Sequence, residues 1–145
     1  MISMPAEKLF MDAENQIAGR LASKAAKEAL KGRHVFIVNA EKAIISGNPV
    51  FVIKRYYQMV SRGDPYHGPF YPRIPDRMLR RMIRGMLPKR PTGKAAFKRI
   101  KVYNSVPEEF SKQAFTRPEE SESRLGSKFI TLGKLSERLG AKKTW

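Results

Sequence analysis

The chain has 145 residues and 41% apolar content, which suits one compact domain with its own core and argues against disorder throughout. It carries 29 Lys and Arg against 13 Asp and Glu, and a net charge of +16 favours a polyanionic partner, most often a nucleic acid. Because cysteine is absent, disulfides, thiolate catalysis and cysteine-based zinc sites are excluded.

The first predicted unit is a strand, a helix and a second strand. Residues 8–12 hold a short apolar run that is typical of a buried strand, and apolar residues recur at helical spacing over 17–31. We expect Asn15 to cap this helix at its N-terminus and Gly32 to end it. Residues 35–38 form a second β-branched run. Three such elements within about thirty residues indicate a parallel β-α-β unit.

Turn signals divide the middle of the chain. Ser46, Gly47, Asn48 and Pro49 predict a turn, and a helix is expected over about 50–60. Residues 61–75 hold three clusters of glycine and proline. They are therefore predicted to form an extended loop.

Two further helices and a strand are predicted next. The pattern over 76–87 is helical, with Asp76 as the candidate N-cap and a proline directly after it. Thr92 is expected to cap a short helix that ends near Lys98. Residues 100–103 are a predicted strand.

The C-terminal part has weaker patterns. Residues 111–127 are polar with scattered apolar positions, and we expect them to be less ordered. A last strand is predicted over 129–132 and a last helix over 133–139. No internal repeat marks a second domain, so residues 1–145 are interpreted as one.

The strongest functional signal is a basic segment over residues 73–101. It holds eleven cations and one acid, Asp76, a net charge of +10 out of the chain's +16. On the predicted helix the arginines recur three or four residues apart and share one face, while apolar residues occupy another. A solvated face normally mixes charge signs, and arginine suits phosphate because its planar fork donates two parallel hydrogen bonds. We therefore predict that RNA phosphates are bound by Arg73, Arg77, Arg80, Arg81, Arg84, Lys89, Arg90, Lys94, Lys98, Arg99 and Lys101.

The first helix repeats this theme on a smaller scale. Its cations step by four, three and four residues along one stripe, and Glu28 offsets them only in part. RNA contact and a merely solvated helix face are both open for this stripe. Its members are Arg20, Lys24, Lys27 and Lys31.

Cations and aromatic residues alternate along residues 54–73. Exposed rings on a loop of this kind can stack on unpaired bases, although Tyr56 or Tyr57 could instead face the core from the second helix. We expect at least one of Tyr66, His67, Phe70 and Tyr71 to contact RNA. The cationic candidates here are Lys54 and Arg55.

The residues present do not match the sequence patterns of nucleotide-binding, metal or catalytic sites. Gly93 and Lys94 resemble the end of a phosphate-binding loop, but Pro88 and Ala95 break that pattern. His34 and His67 lack spaced partners for a metal, and no nucleophile or cofactor motif is visible.

A catalytic carboxylate, a membrane-spanning helix and a signal peptide are also not supported by the sequence. Asp12 and Glu14 follow the first strand, where a carboxylate can be catalytic, but capping the next helix is the simpler role. No apolar run approaches the ~18 residues of a membrane-spanning helix, and the N-terminus lacks the order of a signal peptide. We expect a cytoplasmic protein that does not bind a membrane and has no small-molecule substrate.

Six short motifs follow one another along the chain, over residues 12–23, 38–42, 45–48, 84–88, 93–96 and 99–103. Together they resemble the motifs of the universal large-subunit ribosomal protein thirteen family. They run in the family's order from about residue 9 to 110, and the tail around residues 132–140 is similar to the archaeal and eukaryotic branch. Two departures are a serine at 105, where the family often has glycine, and residues 111–127, which match nothing in it.

The resemblance implies a three-layer α/β/α domain around a mainly parallel sheet of about four strands. It also implies a scaffold without catalytic residues or cofactors, which binds large-subunit ribosomal RNA, contacts neighbouring ribosomal proteins and assists early subunit assembly. From the residues alone, a free-standing RNA-binding regulator and a nucleic-acid enzyme stay open as alternatives. The enzyme would need a carboxylate cluster, a metal site or a cofactor loop.

Overall fold

The computed structural model describes residues 7–118 and 128–145. Strand β1 (Lys8–Asp12), helix α1 (Ala18–Leu30) and strand β2 (His34–Val38) form the predicted parallel β-α-β unit. Gly32 follows α1 with a φ of +97°, a conformation that glycine adopts without strain, and its predicted role is confirmed. The predicted cap is wrong: Ile17 is the N-cap, because Asn15 has a φ of +58° and belongs to the preceding turn.

Beyond β2 the chain passes through a 3₁₀ helix, Ala40–Lys42, into β3 (Ile44–Ser46) and α2 (Pro49–Ser61). The Asn48 side chain accepts a hydrogen bond of 3.1 Å from the Val50 amide at the start of α2. Strand β3 was not predicted, since three residues are too few to show an alternating pattern.

The basic segment forms α3 (Pro75–Met86), α4 (Pro91–Lys98) and β4 (Ile100–Val102). Both helices begin with proline, whose missing N–H and preset φ suit the first helical position. The N-caps are therefore Ile74 and Arg90. The capping roles predicted for Asp76 and Thr92 are wrong, because both residues lie inside the first turn.

The C-terminus contributes β5 (Phe129–Thr131) and α5 (Leu132–Arg138). Strand β5 pairs antiparallel with β3, with Ile45 opposite Ile130. The Thr131 hydroxyl accepts a hydrogen bond of 3.4 Å from the Lys134 amide at the start of α5. Most of the stretch expected to be less ordered, residues 119–127, lies outside the described residues.

The central sheet is parallel, in the order β1-β2-β4, and it confirms the predicted α/β class with a mainly parallel sheet. Helices α1, α3 and α4 pack on one face, where apolar side chains such as Leu21, Ile37 and Ile83 are fully buried. Burying a side chain of this kind contributes roughly 1.5–3 kcal/mol. None of the described helices is long and apolar enough to cross a membrane.

The opposite sheet face is covered by aromatic rings and a second 3₁₀ helix, Glu108–Phe110. Phe10 and Phe36 stack with ring centroids 5.1 Å apart, and Phe110 contacts both at 5.3 Å. At the free edge of β1, Thr116 exchanges two backbone hydrogen bonds with the strand. The described part of residues 111–127 thus extends the sheet by a single bridge.

Candidate nucleic-acid interface

Helix α3 has an apolar side and a cationic side, as the helical spacing of its residues predicts. Met78, Leu79 and Ile83 are buried against the core, so the helix is anchored along one side. The opposite side presents Arg77, Arg80 and Arg84 to solvent, and Arg81 is half-buried. The structure thus brings four of the predicted phosphate-binding arginines onto one helix.

Two of these arginines lie over aromatic rings. The guanidinium carbon of Arg80 is 4.1 Å from the ring centroid of Phe97, and that of Arg81 is 5.5 Å from the centroid of Tyr71. Such contacts are favourable by about 0.5–1 kcal/mol at exposed sites. They orient the arginine forks before any ligand arrives. Phe97 was not among the predicted site residues, because only the packing of α4 against α3 places it here.

Tyr71 was predicted to contact RNA, and the structure places it half-buried. Its ring meets that of Tyr56 at 6.0 Å between centroids and an interplanar angle of 71°. Burial raises the pKa of the Tyr71 phenol, and the nearby Arg81 lowers it only in part. Burial also raises the pKa of Tyr56 to about 12. Tyr56 is buried and faces the core, whereas Tyr57 is exposed.

Helix α4 and the turn before it add more cations. Gly93 packs against the Pro88 carbonyl, since a Cβ at position 93 would lie 1.8 Å from that oxygen. This close approach brings the start of α4 against the turn that follows α3. Cations of both helices and of this turn surround one groove of about 820 Å³. They are Arg81, Arg84, Lys89, Lys94 and Lys98, and all except Arg81 are exposed.

A second hollow of about 360 Å³ lies beside the first, where α3 meets β4. Arg77, Arg80, Lys98 and Lys101 line it together with Asp76. Lys98 lines both hollows, and Arg80 of the second hollow lies over Phe97 of the first groove. The two hollows therefore belong to one cationic surface, which we call the α3–α4 face. Arg90 lies exposed at the start of α4.

Two predicted site residues have structural contacts of their own. The Arg99 guanidinium donates a hydrogen bond of 3.0 Å to the Ala29 carbonyl in the last turn of α1, where a cation suits the helix dipole. Arg73 is exposed, and its backbone carbonyl accepts a hydrogen bond from the hydroxyl of Ser136 in α5. Neither contact excludes a phosphate contact, but Arg99 already stabilises the fold.

The stripe on α1 is partly neutralised. Glu28 is buried and forms ion pairs with Lys31 at 3.2 Å and with Arg33 at 2.5 Å. Burial raises the pKa of Glu28, but the hydrogen bonds from both cations outweigh it and the net pKa is lowered. Arg20 and Lys27 remain exposed and Lys24 is half-buried.

The loop between α2 and α3 presents its rings outward. Tyr66 is 88% exposed and Phe70 is 67% exposed. Asp64 and Gly68 exchange two backbone hydrogen bonds, and the Asp64 carboxylate accepts from the Tyr66 amide and pairs with His67 at 3.2 Å. These contacts close the loop tip, so Tyr66 and His67 sit on a defined turn. Lys54 and Arg55 of α2 are also exposed.

The carboxyl ends of the parallel strands carry a polar network instead of a helix cap. The Asp12 carboxylate accepts hydrogen bonds from the Glu14 backbone amide at 2.9 Å, the Asn39 side-chain amide at 3.0 Å and the Arg117 guanidinium at 2.9 Å. Burial raises the pKa of Asp12, but these hydrogen bonds outweigh it and hold the pKa below its usual value. Arg117 also pairs with Glu14 at 2.9 Å. The predicted capping of α1 by Asp12 or Glu14 is therefore wrong.

The turn after β4 depends on a second carboxylate. Ser105 has a φ of +57°, which a glycine would adopt more easily, and its amide donates a hydrogen bond of 2.9 Å to Glu41. The turn thus keeps a glycine-like backbone with serine present. Across the described residues, no group of three or more His, Asp or Glu side chains is placed to hold a metal ion.

Comparison with known proteins gives a consistent result. The sequence model of the family described as "Ribosomal protein L13" matches residues 6–109. The large ribosomal subunit protein uL13 of Methanopyrus kandleri is 47% identical over 94% of this chain and 89% of its own length. The proteins of the same name from Methanococcus maripaludis and Haloarcula marismortui are 46% and 42% identical, over 92% and 94% of this chain and 98% and 94% of their own.

Proposed function

The chain belongs to the ribosomal protein L13 family, and on that premise we propose that it is a structural constituent of the large ribosomal subunit in the cytoplasm. It acts as an RNA-binding scaffold and not as an enzyme. Its partners are large-subunit ribosomal RNA and neighbouring ribosomal proteins. It also assists early assembly of the subunit.

The α3–α4 face is the single observation that carries the RNA-binding role. Eleven cations of residues 73–101 stand against one acid, and most of them are exposed along α3, α4 and β4. Concentrated like charge destabilises an isolated protein, and RNA phosphates relieve that repulsion. Each neutralised phosphate releases counterions, so the affinity falls steeply as salt rises.

The buried side of α3 explains how this surface can select a folded RNA. The arginines project from a helix that is fixed by Met78, Leu79 and Ile83, and Arg80 and Arg81 are further oriented by rings. Cations in fixed geometry favour one arrangement of phosphates over others. Folded RNA brings several backbones close together, and such a cationic surface lowers their mutual repulsion. This is how the protein assists assembly.

The cellular test is sedimentation of the tagged protein from a lysate through a sucrose gradient at high salt. We expect stoichiometric co-migration with the large subunit. Release into light fractions, without any large-subunit particle depleted of the protein, would contradict the proposal and favour a free-standing regulator.

The test of the face itself is the triple charge reversal of Arg80, Arg81 and Arg84 to Glu. We expect RNA affinity to fall by orders of magnitude. The slope of the logarithm of the binding constant against the logarithm of the salt concentration should become shallower by about 0.7–0.9 for each phosphate that the variant no longer neutralises. Circular dichroism should be unchanged. The control reverses three exposed cations elsewhere, at Lys112, Lys142 and Lys143, with the same change in net charge. Equally weakened binding in the two variants would show that net charge matters and the face does not.

A further inference from the structure

The groove between α3 and α4 has a chemistry that phosphate binding alone does not require. Cations surround it, and no acidic residue is among the described residues that line it. Between these cations the lining is apolar, because it consists of the side chains of Leu87, Pro88 and Phe97. A phosphate needs donors and gains nothing from such a surface, whereas a nucleobase has an apolar face that stacks on an aromatic ring.

The size of the groove also matches a discrete ligand. Its volume of about 820 Å³ lies within the roughly 300–1,000 Å³ of pockets that hold small molecules. The mouth is cationic through Arg84, Lys89 and Lys94. The groove thus offers an apolar site for a base within reach of donors for the phosphate attached to it.

Gly85 keeps one wall of this groove open. It lies within α3, where glycine weakens a helix relative to alanine, and its φ is not in the left-handed region that would require glycine. Among the described residues, no atom would lie within 4 Å of a Cβ built at position 85. Neither the backbone conformation nor the packing of the described residues therefore explains the glycine. A ligand that approaches the bare backbone of α3 would explain it.

We propose that this groove receives a single unpaired nucleotide of the bound RNA. The base lies against Phe97 and the Leu87–Pro88 turn, its phosphate is held by Arg84, Lys89 and Lys94, and Gly85 allows close approach. The inference rests on the proposed RNA-binding function and refines it. Recognition of RNA by unstacked bases in loops and bulges is the general mode by which proteins read folded RNA.

The test compares a short RNA duplex that has one bulged 2-aminopurine with the same duplex fully paired. We expect the full chain to bind the bulged duplex at least about fivefold more tightly, the lower end of what stacking one base contributes. Binding should also quench 2-aminopurine fluorescence. Gly85→Leu fills the groove with a good helix former, so it should abolish the preference and the quenching while duplex binding persists.

The control is Gly19→Leu. Gly19 is also exposed in a helix, and no atom of the described part of the chain would lie within 4 Å of a Cβ built there, but this residue lies on α1 outside the groove. It should keep the preference. If the unaltered chain binds both duplexes equally, or if Gly85→Leu keeps the preference, the groove has no such role and the proposed function stands. If neither duplex binds at low salt, the proposed function fails as well.

Discussion

Replacing Gly93 by alanine should destabilise the protein markedly. The added Cβ would lie 1.8 Å from the Pro88 carbonyl oxygen and 2.8 Å from its carbonyl carbon, far inside van der Waals contact. Both are backbone atoms of the turn that joins α3 to α4, so no side chain can move aside. Alanine gains about 0.5–1 kcal/mol over glycine in a helix, whereas overpacking costs typically about 1–3 kcal/mol and occasionally more.

The clash involves backbone on both sides, so we expect the cost at or above the upper end of that range. The net decrease in stability is then about 2 kcal/mol or more. For a chain of this size, each kcal/mol shifts the melting temperature by roughly 2–4 °C. Gly93→Ala should therefore melt about 4–8 °C below the unaltered protein, or lower, in thermal unfolding followed by far-ultraviolet circular dichroism.

Gly85→Ala is the matched comparison, since it makes the same change in the neighbouring helix, where no described atom lies within 4 Å of the added Cβ. Only the helix propensity acts there, so the melting temperature should rise by about 1–4 °C. A Gly93→Ala protein as stable as Gly85→Ala would refute this prediction. That result would mean that the turn at Pro88 yields without cost and does not hold the two helices together.

Two further outcomes concern the polar contacts. Because hydrogen bonds hold the Asp12 pKa below its usual value, this carboxylate stabilises the fold above the unfolded-state pKa of about 3.9, and the stabilisation disappears as pH falls through the lower folded-state pKa. Asp12→Asn should thus destabilise the protein by about 1–3 kcal/mol at pH 7, because it weakens the pair with Arg117. In urea unfolding at pH 3 the loss of stability should be smaller. An equal loss at both pH values would contradict this account. Arg99→Ala should lower the stability of the protein by about 1–2 kcal/mol, because it removes the hydrogen bond to Ala29. Lys98 is exposed, so the control Lys98→Ala should change the stability by less than about 0.5 kcal/mol. Equal effects of the two substitutions would show that the Arg99 contact does not stabilise the fold.

Much of the secondary structure could be predicted because it depends on neighbours in the chain. The apolar period of α1 and the run in β2 reflect which side chains must be buried together, and the glycine after α1 reflects a local φ. The charge of residues 73–101 is likewise visible without coordinates. The local pattern did not predict the helix caps correctly. Pro75 and Pro91 take the first helical position of α3 and α4, and Asn15 belongs to the turn before α1.

The site's detailed form depends on residues that meet only in the folded chain. The Phe97 ring lies under Arg80, and Arg99 donates a hydrogen bond to Ala29 seventy residues earlier in the chain. The pairing of β3 with β5 likewise joins segments that are far apart in the sequence. The sequence by itself determined most of the element types, the parallel unit and the cationic composition, which arise from local backbone preference and charge. Only the tertiary structure decided which cations share a groove and which already stabilise the fold, because contacts between distant residues leave no periodic trace along the chain.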